Sequence, residues 1–175
     1  MNSQEMLIEG YNRIPDFLKH ILAGIPQDKL DWRPHPDANS IGWLSWHLLR
    51  QHDAQVAALM DEEQIWINQG FHSRFNRPAD PGDTGFGQTP DQVGAFKSPE
   101  VLVFLEYANA AVQRSISYFQ QLSEGELDRE LDEPRYTPLP TVGVRLVSIL
   151  EDSQLHAGQA AYLRGLLEGY GWQKY

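Results

Sequence analysis

Apolar residues recur at steps of three and four along four stretches of the chain, with polar or Gly/Pro-rich segments between them. Such steps put side chains on one face of an α-helix. In the first stretch, residues 3–24, the row is Leu7, Tyr11, Ile14, Leu18, Ile21 and Ile25. Pro15 lies inside it and predicts a kink or a late start. A second helix is expected from an Asn39 or Ser40 N-cap, through Trp43, Leu44, His47, Leu48, Gln51, Gln55, Ala58 and Leu59, to residue 63. The third opens at Ser98-Pro99-Glu100, which reads as an N-cap, a proline at the first helical position and an acid in the first turn. Its row is Leu102, Leu105, Ala108, Val112, Ile116 and Phe119. The fourth spans residues 141–168, with Gly169 and Gly171 as the stop. No segment reads as a strand.

Between the second and third helices lies a connection of residues 64–97, rich in Gly and Pro. Connections this long are unusual in compact domains and often carry function. Its aromatics Trp66, Phe71, Phe75 and Phe86 predict packing against the body. Residues 128–140 form another irregular stretch, with Pro134, Pro138 and Pro140. Four helices of ~20 residues, each ~30 Å long, read as an all-α four-helix bundle with long crossover connections. At 175 residues the chain is expected to be a single domain, residues 1–175.

Charge narrows the function. With 24 acids against 14 bases the net charge is −10, so nucleic-acid backbones and anionic membranes are expected to be repelled. There is no cysteine, so disulfides, thiolate-ligated metals and catalytic thiols from this chain are excluded. Residues 1–6 lack the pattern of a secretory signal, and no apolar run approaches a membrane span. The expected location is cytoplasmic.

Six histidines remain as candidate chemistry. Three have an acid four residues earlier: Asp16 with His20, Asp31 with His35, and Asp152 with His156. About one such pair is expected by chance at a spacing that shares a helix face, so context must separate them. The Asp31 pair brackets Pro34, between helices. Asp16 and His20 lie roughly 200° from the apolar row and read as solvated. Asp152 and His156 fall on the line Ile149, Asp152, His156, Ala160, Leu163 and Leu167, an apolar face. Buried there, they need partners: each other and their neighbours, or a metal. His47, between Leu44 and Leu48, is the natural third member, while His52 points elsewhere. A histidine held by a backbone carbonyl and a hydrogen-bonded Asp–His pair would satisfy the same pattern. Ferritin-like Glu-x-x-His pairs are missing, since Leu44 and Ser153 stand where the acids belong. Phosphate-binding loops and a G-x-S-x-G elbow are missing too.

Two segments carry a family resemblance. Leu30-Asp31-Trp32-Arg33-Pro34 followed by Asn39-Ser40-Ile41-Gly42-Trp43-Leu44-Ser45-Trp46-His47-Leu48 resembles the second-helix signature of the DinB-like superfamily. Asp152-Ser153-Gln154-Leu155-His156-Ala157-Gly158-Gln159 with Tyr162-Leu163-Arg164 resembles its last-helix signature. The resemblance implies a bacterial source, a homodimer, and a divalent metal between helices. That metal falls on His47, position 152 and His156. The family's usual third histidine is Asp152 here. A carboxylate at that place resembles the metal-binding domain of mycothiol-dependent maleylpyruvate isomerases, whose residue is a glutamate.

Two histidines and a carboxylate with open positions suit Zn²⁺, Fe²⁺ or Ni²⁺. The implied activity is thiol transfer, in which an external low-molecular-weight thiol attacks a small electrophile. The expected cleft lies between Trp43, the long connection and the end of the fourth helix, with Gln159 bonding a metal-held thiol or water. The alternatives are metal-assisted hydrolysis and a non-catalytic binding or stress-response protein. A fourth protein ligand, His52 or Gln51, would favour the last. Arg164 is expected to face an anionic substrate or form a surface ion pair. The alanines Ala54, Ala57, Ala58, Ala108, Ala110 and Ala111 read as a dimer surface or as close contacts within the bundle.

Overall fold

The structure, a computed structural model, describes residues 1–169 and 171–173. In chain order its helices are α1 (Ser3–Leu22), α2 (Gln27–Leu30), α3 (Ile41–Met60), α4 (Ile65–Asn68), α5 (Phe71–Arg74), α6 (Pro90–Gly94), α7 (Val101–Phe119), α8 (Glu124–Leu127) and α9 (Val142–Glu168). The four long ones, α1, α3, α7 and α9, form the bundle. There is no strand among the described residues, only an isolated bridge between Glu130 and Thr141. No helix among them is long and apolar enough to cross a membrane.

Each long helix starts where local chemistry allows. The Asn2 side chain and Glu5 form a capping box for α1. The Ser40 hydroxyl accepts from the Trp43 N–H at the head of α3, and Thr141 does the same for Val144 on α9. Pro15 sits within α1 without ending it. The head of α7 differs from the sequence expectation. The helix begins at Val101, after Ser98-Pro99-Glu100. Ser98 is drawn away by Asp31, whose carboxylate accepts from both its N–H and its hydroxyl, 2.6 Å from the latter. Asp31 thus ties the α2 end to the approach to α7. The buried face of α7 includes Ala108, Val112 and Phe119 of the predicted row and is wider than that row. Phe104, Tyr107, Ala111 and Ser115 face inward, whereas Leu102 is exposed.

Around the bundle the order is α1, α9, α3, α7, each packing on the next. Long helices consecutive in the chain, α1 and α3 or α7 and α9, therefore sit across a diagonal, and crossing connections follow. α3 is the central element, with every residue from Ile41 to Arg50 buried. Ala57, Ala108 and Ala111 are buried within the chain, so they serve close helix packing and not a surface for another subunit.

The long connection folds onto α3 and α7 through Trp66, Phe71, Phe75 and Phe96, all buried. Burial of each large apolar side chain contributes about 1.5–3 kcal/mol. Phe86, expected to pack, is instead 86% exposed. Arg164, expected at the surface, is buried. Its guanidinium donates to the His20 and Ile21 carbonyls at the end of α1 and pairs with Glu168. It thereby satisfies carbonyls that a helix end leaves without partners.

Candidate metal centre

α3 and α9 form the most extensive helix pair of the bundle, and His47, Asp152 and His156 meet across it. Each offers one ligand atom, and the three atoms lie within 4.8 Å of one another. Asp152 and His156 are one turn apart on α9, with Asp152 Oδ1 3.4 Å from His156 Nε2. The His47 and His156 rings meet edge to face, 4.8 Å between centroids.

Both histidines have their outer nitrogens occupied. His47 Nδ1 donates to the Thr84 carbonyl at 2.6 Å. His156 Nδ1 donates to Gln159 Oε1 at 2.8 Å. A neutral imidazole with its proton on Nδ1 keeps a lone pair on Nε2, so both rings turn a ligand atom inward. Asp152 Oδ2 is buried with no hydrogen-bond partner. A buried carboxylate oxygen without a partner carries a desolvation cost, and a cation at this point would remove it. The donor set and this unpartnered oxygen therefore fit a divalent metal.

The two histidines differ electrostatically. Burial lowers the His47 pKa, outweighing the opposing effect of the Thr84 bond, so it stays neutral. The Asp152 carboxylate raises that of His156, against the effect of burial. Asp152 and His156 lie at the margin of the buried face of α9, whose inward positions are Ile149, Ser153, Ala157 and Ala160. His47 is at the bottom of the site and 6% exposed, while the Asp152 side chain is 34% exposed. One side of the group is packed and the other is open.

A cleft of about 620 Å³, which meets the group through Gln159 and is not lined by the three side chains themselves, has Asn39, Leu44, Gln154, Leu155, Gln159 and Tyr162 among its walls. Its walls are the segment leading into α3 and the outer face of α9, so it is not the cleft expected from the sequence. Trp43 lies behind the group, stacked on His47 at 4.7 Å and 14° between planes, with its Nε1 donating to Gln88. Gln159 lines the cleft and also holds His156.

His52 takes no part. Its Nε2 donates to the Ser115 hydroxyl at 2.7 Å, and burial pushes its pKa down to about 3. Among the described residues the metal-ligating group has no fourth His, Cys, Asp or Glu.

The sequence allowed a backbone carbonyl as partner of His47 but did not locate it or the residues around it. Gly85, at φ +88°, lies so close that a Cβ there would come within 2.9 Å of His47 Nδ1 and of Trp43, and 2.8 Å of Trp46. Arg50, fully buried, donates to the Asp83 and Pro81 carbonyls, Gln64 and Asp53. The one available signal was an arginine in the middle of an apolar helix, because such a residue needs partners.

Comparisons with known proteins agree with this fold. A search of curated proteins finds no match. The chain is similar to a conserved protein of Enterococcus faecalis known from a crystal structure, at 29% identity and a TM-score of 0.87, over 97% of this chain and 99% of that one. The family profile described as DinB superfamily matches residues 11–160, which include His47, Asp152 and His156. The chain belongs to the DinB superfamily.

Proposed function

We propose that this protein is a divalent-metal-dependent enzyme that transfers a small external thiol to an electrophilic substrate. The observation that carries the reading is the convergence of two inward-facing imidazoles and a carboxylate with one unpartnered oxygen, beside an open cleft. Three ligands without a fourth leave coordination positions for an exogenous group, as in catalytic sites. A divalent ion held there would lower the pKa of a thiol or water in an open position.

The chain's own residues supply the rest. Thr84 and Gln159 hold the imidazoles in the ligating tautomer. Trp43 and Trp46 exclude water from the inner side. Asn39, Gln154 and Gln159 offer amide hydrogen bonds along a cleft otherwise lined by leucines, glycine, alanine and tyrosine. The lack of cysteine means that the sulfur must come from a second molecule.

The test is turnover of small electrophiles by zinc-, nickel- or iron-loaded protein, with and without low-molecular-weight thiols. Product that requires both metal and thiol supports the reading. Product formed equally without thiol makes water the nucleophile and the protein a hydrolase. A loaded protein that neither binds thiols nor turns over is a binding or stress-response protein.

A further inference from the structure

Asp83 lies in the long connection, one residue before the carbonyl that holds His47, and both of its polar ends are tied. Its carboxylate takes two bonds from Arg77, at 2.5 and 2.6 Å. Its carbonyl takes one from Arg50 Nε at 3.0 Å. Neither arginine is free to move. Arg50 has no exposed surface and is also held by Asp53, Tyr107 and Gln64. The Arg77 guanidinium lies over the Trp46 ring, 4.5 Å from its centroid. Trp46 and Arg50 are both on α3, the helix that carries His47.

A segment without regular structure does not by itself hold one carbonyl in place. Here the carbonyl of Thr84 must stay at 2.6 Å from His47 Nδ1, because the acceptor at Nδ1 decides which nitrogen carries the proton. If the carbonyl drifts, the proton can settle on Nε2, and ligation there is weakened by the cost of moving it back to Nδ1.

We propose that Asp83 is a positioning residue of the metal centre, acting on His47 through the Thr84 carbonyl. The proposal rests on the metal reading given above. It also makes residues 77–85 a working part of the centre, although that stretch contains no ligand.

The test uses the full chain with Asp83→Ala and Arg77→Lys. Lysine keeps the positive charge but cannot make the two-pronged carboxylate bond, so it is the milder change. Nitrogen-15 NMR of the histidine rings in metal-free protein reads the His47 tautomer directly. Chelator competition reads zinc affinity. The expected result is an Nδ1-protonated His47 in the parent, a mixture of tautomers in the variants, and zinc binding weaker by about 10–100-fold in Asp83→Ala. Arg77→Lys should fall between. Variants that lose thermal stability but keep the parental tautomer and zinc affinity would overturn the proposal, since Asp83 would then be merely structural. A parent chain that takes up no zinc removes the metal reading alone. The tautomer measurement then still decides the role of Asp83.

Discussion

Replacing Gly85 with alanine tests how tightly the metal ligand is held from behind. Gly85 has φ +88°, and an L-residue in left-handed backbone costs about 1–2 kcal/mol. Its new Cβ would meet Trp46 Cζ3 at 2.8 Å and Trp43 Cζ2 and His47 Nδ1 at 2.9 Å. These are ring atoms of buried side chains, not flexible ends, so the cost of overpacking adds about 1–3 kcal/mol. The sum is about 2–5 kcal/mol. At roughly 2–4 °C per kcal/mol for a domain of this size, Tm should fall by about 4–20 °C. Moving His47 away from Thr84 should also weaken zinc binding by about tenfold or more. Gly87→Ala is the control. Its φ is +74°, but nothing lies within 4 Å of the added Cβ, so only the backbone cost applies and zinc affinity should hold. Thermal unfolding of metal-free protein and chelator competition measure the two effects. A Gly85→Ala protein with the stability and zinc affinity of Gly87→Ala would refute the close-approach argument.

Two further outcomes follow from the same structure. Asp53→Ala removes the acceptor of Arg50, Arg114, Tyr107 and the Ile65 and Trp66 N–H groups. It leaves the buried Arg50 guanidinium without its carboxylate, so urea denaturation should show a loss of about 3–5 kcal/mol; a loss near zero contradicts the clamp. His52 titrates near 6.5 when unfolded and at about 3 when folded. Between those values the unfolded chain binds the extra proton, so stability is full above about pH 6.5 and falls on acidification by up to about 1.4 kcal/mol per pH unit. His52→Gln should flatten that part of the slope in urea midpoints taken across the range, and an unchanged slope would rule the group out.

The helices were legible because burial imposes a period of 3.6 on the apolar residues. Asp152 and His156 stood out for the same reason, as polar groups one turn apart on an apolar line. Ser40 was legible as a cap, with Asn39 as the other choice, because a side-chain oxygen ahead of an apolar run has one local use. Ser98 misled because a distant residue, Asp31, outcompetes the local cap, and no local pattern reveals a partner in another helix. That a backbone carbonyl could hold His47 was legible, but which carbonyl was not. Its acceptor is the backbone carbonyl of Thr84, a group that every residue possesses, so only the fold of the long connection identifies it. Phe86 was misplaced because an aromatic between two glycines reads as buried or exposed equally well. The glycines at φ +88° and +74° turn it outward.

The central claim is that His47, Asp152 and His156 hold one divalent ion. Metal content of the untagged chain, measured by mass spectrometry beside His156→Ala and Asp152→Ala, tests it most directly. The account predicts about one metal per chain in the parent and its loss in both variants. A parent that stays metal-free after incubation with Zn²⁺, Ni²⁺ and Fe²⁺ would contradict it, and the three side chains would then be a polar cluster that holds no ion.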